Sequence, residues 1–183
     1  LQKHLVEKPW GRTDIPAAFG DMGGRQIGEI WYESGTPEDL PILVKWLFTS
    51  EKLSIQVHPN DTQARERGMP SGKEECWFIV NAEPGAVLGI GTIRPLSADE
   101  LRDASLSGEI ESLIDWKPVK ASDYFYIPAG TIHAIGAGIV VDLGNGDRQR
   151  LVVQRDERPR LGDAAVLEAD LRPHAHVVHR RKP

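Results

Sequence analysis

The sequence predicts a mainly β fold in a single domain. Three observations carry that reading. Thirteen prolines and 18 glycines fall mostly between short apolar runs, the punctuation of a chain with many turns. Several of those runs alternate polar and apolar residues, the period of a half-buried strand. One longer stretch, residues 97–116, reads best as helix. The 183 residues are enough for one domain with a real core.

The elements follow in order. Residues 1–24 read as a strand and a loop ending at Gly23-Gly24, with Trp10 capping the core or touching a ligand. Residues 25–34 and 41–49 read as strands, the second strongly apolar and central. Ser50-Glu51 is the expected hairpin turn into a third strand, Lys52 to His58. Alternation sends Ser54, Gln56 and His58 to one face and Leu53, Ile55 and Val57 to the other. Pro59 stops that strand, Asn60-Asp61 starts a turn, and 61–72 holds a short helix and loop. In the next strand Lys73, Glu75 and Trp77 share one face. Cys76 takes the other and reads as a buried small hydrophobe.

Residues 86–93 form a short strand. Ser97 and Glu100 are spaced as a capping box. Gly108 splits the helical stretch, and a second helix is expected to end near Trp116-Lys117-Pro118. Such a segment reads as an insertion against a sheet, apart from the chemistry. Strands return over 121–143, with Pro128-Ala129-Gly130-Thr131-Ile132 turning the chain to deliver His133. Residues 144–160 carry five arginines, and His174, His176 and His179 belong to a basic tail.

Composition excludes several classes. A net charge of −5 argues against nucleic acid and membrane surfaces as partners. No apolar run reaches membrane-span length, and no signal peptide is visible. Cys76 is the sole cysteine, so a reducing cytoplasm is expected.

The candidate chemistry lies in three separated stretches. Gln56 and His58 stand two apart on one strand, Glu75 heads a second, and His133 follows a PxGxxH turn. A jelly-roll barrel can bring such strands to one mouth. Imidazole, carboxylate and amide oxygen together suit a borderline divalent ion such as zinc. With that ion the site carries about +1, which favours an anionic or hydroxyl-rich ligand. Taken alone, His133 reads as a packed turn histidine and Lys73 as a surface lysine.

Gln56-Val57-His58-Pro59-Asn60-Asp61, Gly72-Lys73-Glu74-Glu75-Cys76-Trp77 and Ile127-Pro128-Ala129-Gly130-Thr131-Ile132-His133-Ala134 resemble the metal-site motifs of type I mannose-6-phosphate isomerases. Lys8-Pro9-Trp10-Gly11 and Gly28-Glu29-Ile30-Trp31 resemble that family's opening strands. The likeness runs in order over residues 5–143. It implies a single cupin jelly roll over 1–183 with the helical insertion at 97–116. It implies one zinc ion per chain on Gln56, His58, Glu75 and His133, and Lys73 reaching into the active site. Ser54 is implied beside the substrate's phosphate, with Trp10 near the pocket. The implied reaction is interconversion of mannose 6-phosphate and fructose 6-phosphate, by a monomer or homodimer acting on a small sugar phosphate.

The likeness weakens toward the end. Asp142 stands where the family usually has glutamate, and Val152 where it has arginine. Asp142 is then a base candidate, and Arg150, on the same strand face as position 152, a replacement cation. The rival reading is a metal-binding cupin that holds a sugar phosphate without turnover, as a sensor or binding protein.

Overall fold

The computed structural model describes residues 1–34 and 42–145. Nine strands form two antiparallel sheets. The larger contains β1 (Gln2–Arg12), β2 (Ile27–Glu33), β3 (Leu43–Phe48), β9 (Ile139–Asn145), β4 (Glu75–Ala82) and β7 (Tyr124–Ile127), in that spatial order. The smaller is β6 (Ile114–Pro118), β5 (Val87–Thr92) and β8 (His133–Ile135). The expected mainly β, jelly-roll architecture holds.

The alternation that marks the strands also fills the barrel. In β4, Glu75, Trp77 and Ile79 are buried while Phe78 is exposed. Trp77 and Ile79 meet Leu47, Leu88, Phe125, Ile127, Ile135, Ile139, Val141 and Leu143 between the sheets. A second apolar cluster, with Ile27, Ile30, Phe48 and Val140, lies on the outside of the larger sheet, under Met22. A third lies between the helical insertion and the smaller sheet.

Four local expectations change. Ser50-Glu51 makes no hairpin: β3 pairs with β2 and β9 instead. Thr49 explains the exit. Fully buried, it donates from Oγ1 to the Gly136 carbonyl at 2.7 Å and accepts the Ile139 amide at 3.0 Å. The chain then crosses to the smaller sheet, where 52–58 runs extended beside β8. Only Gln56 forms a ladder bridge there, opposite His133.

Asn60 is not a plain turn residue. It caps α1 (Asp61–Glu66) in a reciprocal box with Gln63. The insertion keeps its capping box at Ser97 and Glu100, and α2 (Ala98–Ser107) ends at Gly108 with φ +82°. The second helix, α3 (Ile110–Leu113), is one turn long, and the stretch through Trp116 is strand β6 rather than helix. The β-branched Ile114 and the ring of Trp116 pack better on a sheet than on a helix. Cys76 is half-buried on the outer face of β4, because alternation gives the core positions to Glu75 and Trp77. No helix among the described residues is long and apolar enough to cross a membrane.

Candidate metal centre

Two tethers bring the three stretches together. Gly130 sits at the third position of the 128–131 turn with φ +81°, which favours glycine. Its amide donates to the His58 carbonyl at 2.7 Å. At Gly72 an added Cβ would meet the Asn60 carbonyl carbon at 2.4 Å, so a side chain there would push the two segments apart. Lys73 then donates its amide to Pro59 at 3.0 Å, which brings the head of β4 beside His58.

Glu75 is the centre of what results, only 4% exposed. Its Oε1 lies 3.0 Å from Lys73 Nζ and 3.3 Å from His58 Nε2. Its Oε2 accepts the Trp77 indole N–H at 2.8 Å and lies 3.8 Å from His133 Nε2. Burial pushes the carboxyl up, but His58, Lys73 and His133 outweigh it and hold the group well below the ordinary carboxylate range. For His133 burial dominates and pushes the imidazole down to about 4 against the pull of Glu75. The ring is therefore neutral near pH 7. Its Nδ1 lies 2.8 Å from the Thr131 carbonyl, so Nδ1 carries the hydrogen and Nε2 presents a lone pair.

His58 Nε2 is buried and, among the described residues, makes no hydrogen bond of good geometry. One donor atom each from His58, Glu75 and His133 lies within 4.8 Å of the other two. Lys73 supplies one positive charge to the Glu75 carboxylate, and the three potential ligand atoms of His58, Glu75 and His133 together fit a divalent cation. Gln56 lines the same cavity, with its amide nitrogen 3.1 Å from Ser54 Oγ and its amide oxygen as the remaining acceptor.

The cavity holds about 200 Å³. Trp10, Ser54, Gln56, Lys73, Glu75 and His133 all line it. Trp10 also packs against the central core, so it is both core and wall. Three charged residues on these walls went unassigned in the sequence reading: Lys8, Glu29 and Lys45. A signal existed: Lys45 is the only charge in the apolar run 41–49, and Glu29 alternates with Trp31. A larger, more open cleft of about 880 Å³ lies at the other end of β4, by residues 83–86, and contains none of the candidate residues.

Asp142 does not reach the cavity. Its partners in register are Trp46 and Phe78, both on the outer face of the larger sheet. The cavity-facing residue of β9 is its neighbour Leu143, because successive side chains of a strand alternate. Asp142 instead has a buried Oδ1 without a partner, and burial raises its pKa. Arg150, Val152 and the histidines of the 174–179 tail lie outside the described residues.

Fold and site define a class: a cupin-type jelly roll with a candidate metal centre inside. Relatives narrow it. The chain is 32% identical over 174 residues to a mannose-6-phosphate isomerase of Streptococcus mutans, matching 77% of this chain and 55% of that protein. It is 34% identical over 179 residues to mannose-6-phosphate isomerase ManA of Bacillus subtilis, covering 87% and 56%. The crystal structure of the mannose 6-phosphate isomerase from Bacillus subtilis superposes with a TM-score of 0.70 at 28% identity, over 79% of this chain and 56% of that one. No family model matches the chain. The chain belongs to the mannose-6-phosphate isomerase family, and it spans about half the length of the curated relatives it matches.

Proposed function

We propose that this chain is the barrel of a zinc-dependent aldose–ketose isomerase that interconverts mannose 6-phosphate and fructose 6-phosphate. One observation carries the reading. A buried carboxylate, grouped with two imidazoles, lines a small cavity together with the ammonium of Lys8 and the Lys45–Glu29 ion pair. That pairs a place for a Lewis acid with a place for an anion.

Gln56, His58, Glu75 and His133 would hold the ion, and nitrogen and oxygen donors of this kind suit zinc. Bound there, it supplies a Lewis acid for negative charge developing on a sugar oxygen. The chain's own side chains do the rest. Lys8 holds the phosphate, with Ser54 beside it, and that binding orients the sugar. Trp10 packs against the ring. Of the proton carriers expected from sequence, Lys73 is the one that lines the described cavity. Its ammonium, held by Glu75, donates a hydrogen bond to the sugar's carbonyl oxygen, while a separate base takes the C2 proton and returns it to C1. A phosphosugar substrate and a free thiol at Cys76 fit a reducing cytoplasm.

A second reading has its own support. Leu143, not a carboxylate, faces the cavity from β9. That favours a protein that binds the sugar phosphate without turning it over. The test is zinc loading followed by proton NMR of mannose 6-phosphate, with His133→Ala as the blank. Formation of fructose 6-phosphate by the parent and not by the blank supports the isomerase. Zinc and sugar phosphate bound without conversion supports the binding protein.

A further inference from the structure

The stretch that carries Gln56 and His58 is held weakly by its own sheet. Leu53 donates to Ile135, Gln56 and His133 exchange bonds at 2.8 Å, and the Gln56 pair is the only ladder bridge. Gly130 donates to the His58 carbonyl at the far end of the stretch, and between these bonds the support is apolar. Ile55 and Val57 point away from the cavity and pack against the cluster that joins Leu101, Ala104 and Ile110 of the helical insertion to Leu96, Ile114 and Ile132 beside it.

The insertion also grips the start of the stretch. Lys52 forms an ion pair with Glu111 of α3 and lies 4.9 Å from the ring centroid of Trp116. The Trp116 indole donates to the Glu111 carbonyl at 3.0 Å, so ring and carboxylate form one clamp. A one-bridge strand takes its position from what packs behind it, and every shift behind moves the side chains in front, because the two faces alternate along one backbone.

We propose that the helical insertion Ala98–Leu113 is a positioning element that sets the register and depth of residues 52–58, and through them the metal affinity of the cavity. The metal part rests on the proposed zinc reading; the positioning part does not. It replaces the expectation that the insertion stands apart from the chemistry.

Leu101→Ala tests it, because Leu101 is buried in the insertion and touches neither cavity nor ligand. Met22→Ala is the control: an equally buried residue in the cluster outside the larger sheet. Amide hydrogen exchange is followed in the metal-free protein, and zinc affinity by competition with a chelator. The expected result for Leu101→Ala is exchange at Leu53 and Gln56 at least tenfold faster and zinc affinity about tenfold weaker. Met22→Ala at a matched loss of Tm leaves both unchanged. Lys52→Gln, which keeps the core intact, shifts both about threefold in the same direction.

Equal effects of Leu101→Ala and Met22→Ala would overturn the proposal, leaving only general destabilisation. Unchanged exchange at Leu53 and Gln56 in both Leu101→Ala and Lys52→Gln would overturn it as well. Should the parent bind no zinc, the zinc reading fails, and the exchange data still decide whether the insertion positions the stretch.

Discussion

Two walls of the cavity carry nearly the same device. On β2, Glu29 accepts the indole N–H of Trp31 at 2.5 Å and pairs with Lys45 at 3.2 Å. On β4, Glu75 accepts Trp77 at 2.8 Å and pairs with Lys73 at 3.0 Å. Each is a Glu-x-Trp on one strand face with a lysine beside the carboxylate, and each glutamate is nearly buried. They differ in what else is close. Lys45 has the ring face of Trp31 5.8 Å away, and the carboxylate's charge is balanced by that one lysine. Around Glu75 stand two imidazoles, with His58 Nε2 at 3.3 Å and His133 Nε2 at 3.8 Å from its carboxylate oxygens. The Glu29 cluster is complete as an ion pair. The Glu75 cluster adds two imidazole nitrogens within 4.8 Å of one another and of the carboxylate, and that convergence makes it the candidate metal centre.

The largest test of the distinction is removal of each charge. Glu75→Gln is expected to abolish zinc binding and reduce sugar-phosphate isomerisation by about a thousandfold or more, roughly 4 kcal/mol in the barrier. Zinc content and initial rate read this directly. Glu29→Gln leaves Lys45 buried without its counter-charge, at a cost of about 3 kcal/mol in stability by urea titration. Zinc content stays at the parent value. A Glu29→Gln protein that also lost zinc would erase the contrast between the walls.

The tryptophans allow a finer comparison. Trp77→Phe removes the N–H that orients Glu75, and zinc affinity should weaken by about tenfold. Trp31→Phe is expected to leave it unchanged. Chelator competition resolves both.

The smallest effect concerns a carboxylate on the other face of the sheet. Burial raises the Asp142 pKa above its ordinary 3.8. Below that value both folded and unfolded chains are protonated and Asp142 costs nothing. As pH rises through the folded value the unfolded chain releases its proton more readily, and stability is lost. Asp142→Asn should therefore stabilise at pH 7, by under about 1 kcal/mol because water screens the partly exposed group. The gain should vanish below the unfolded pKa. Thermal melts across pH would show it, and isomerase activity should not change.

The candidate metal centre is legible in sequence because its candidate donors sit in short local motifs. Gln56, Glu75 and His133 line the cavity and His58 stands beside Glu75, while Leu53, expected on the opposite face, lines the cavity too and packs on the central core. Legibility failed where tertiary context decides. Thr49's two buried hydrogen bonds turn the chain out of the sheet where a hairpin was expected. Asp142 and Leu143 are adjacent, so a one-residue offset in register exchanges carboxylate and leucine between cavity and outer face. Lys8, Glu29 and Lys45 come from three strands and make a wall only once those strands pair.

The most direct test is a zinc titration of the parent, Glu29→Gln and Glu75→Gln proteins side by side, read by calorimetry and by metal analysis after gel filtration. One equivalent in the parent and in Glu29→Gln, with none in Glu75→Gln, is the predicted result. No zinc in the parent, or equal binding by both variants, would contradict the assignment of the metal centre to Glu75.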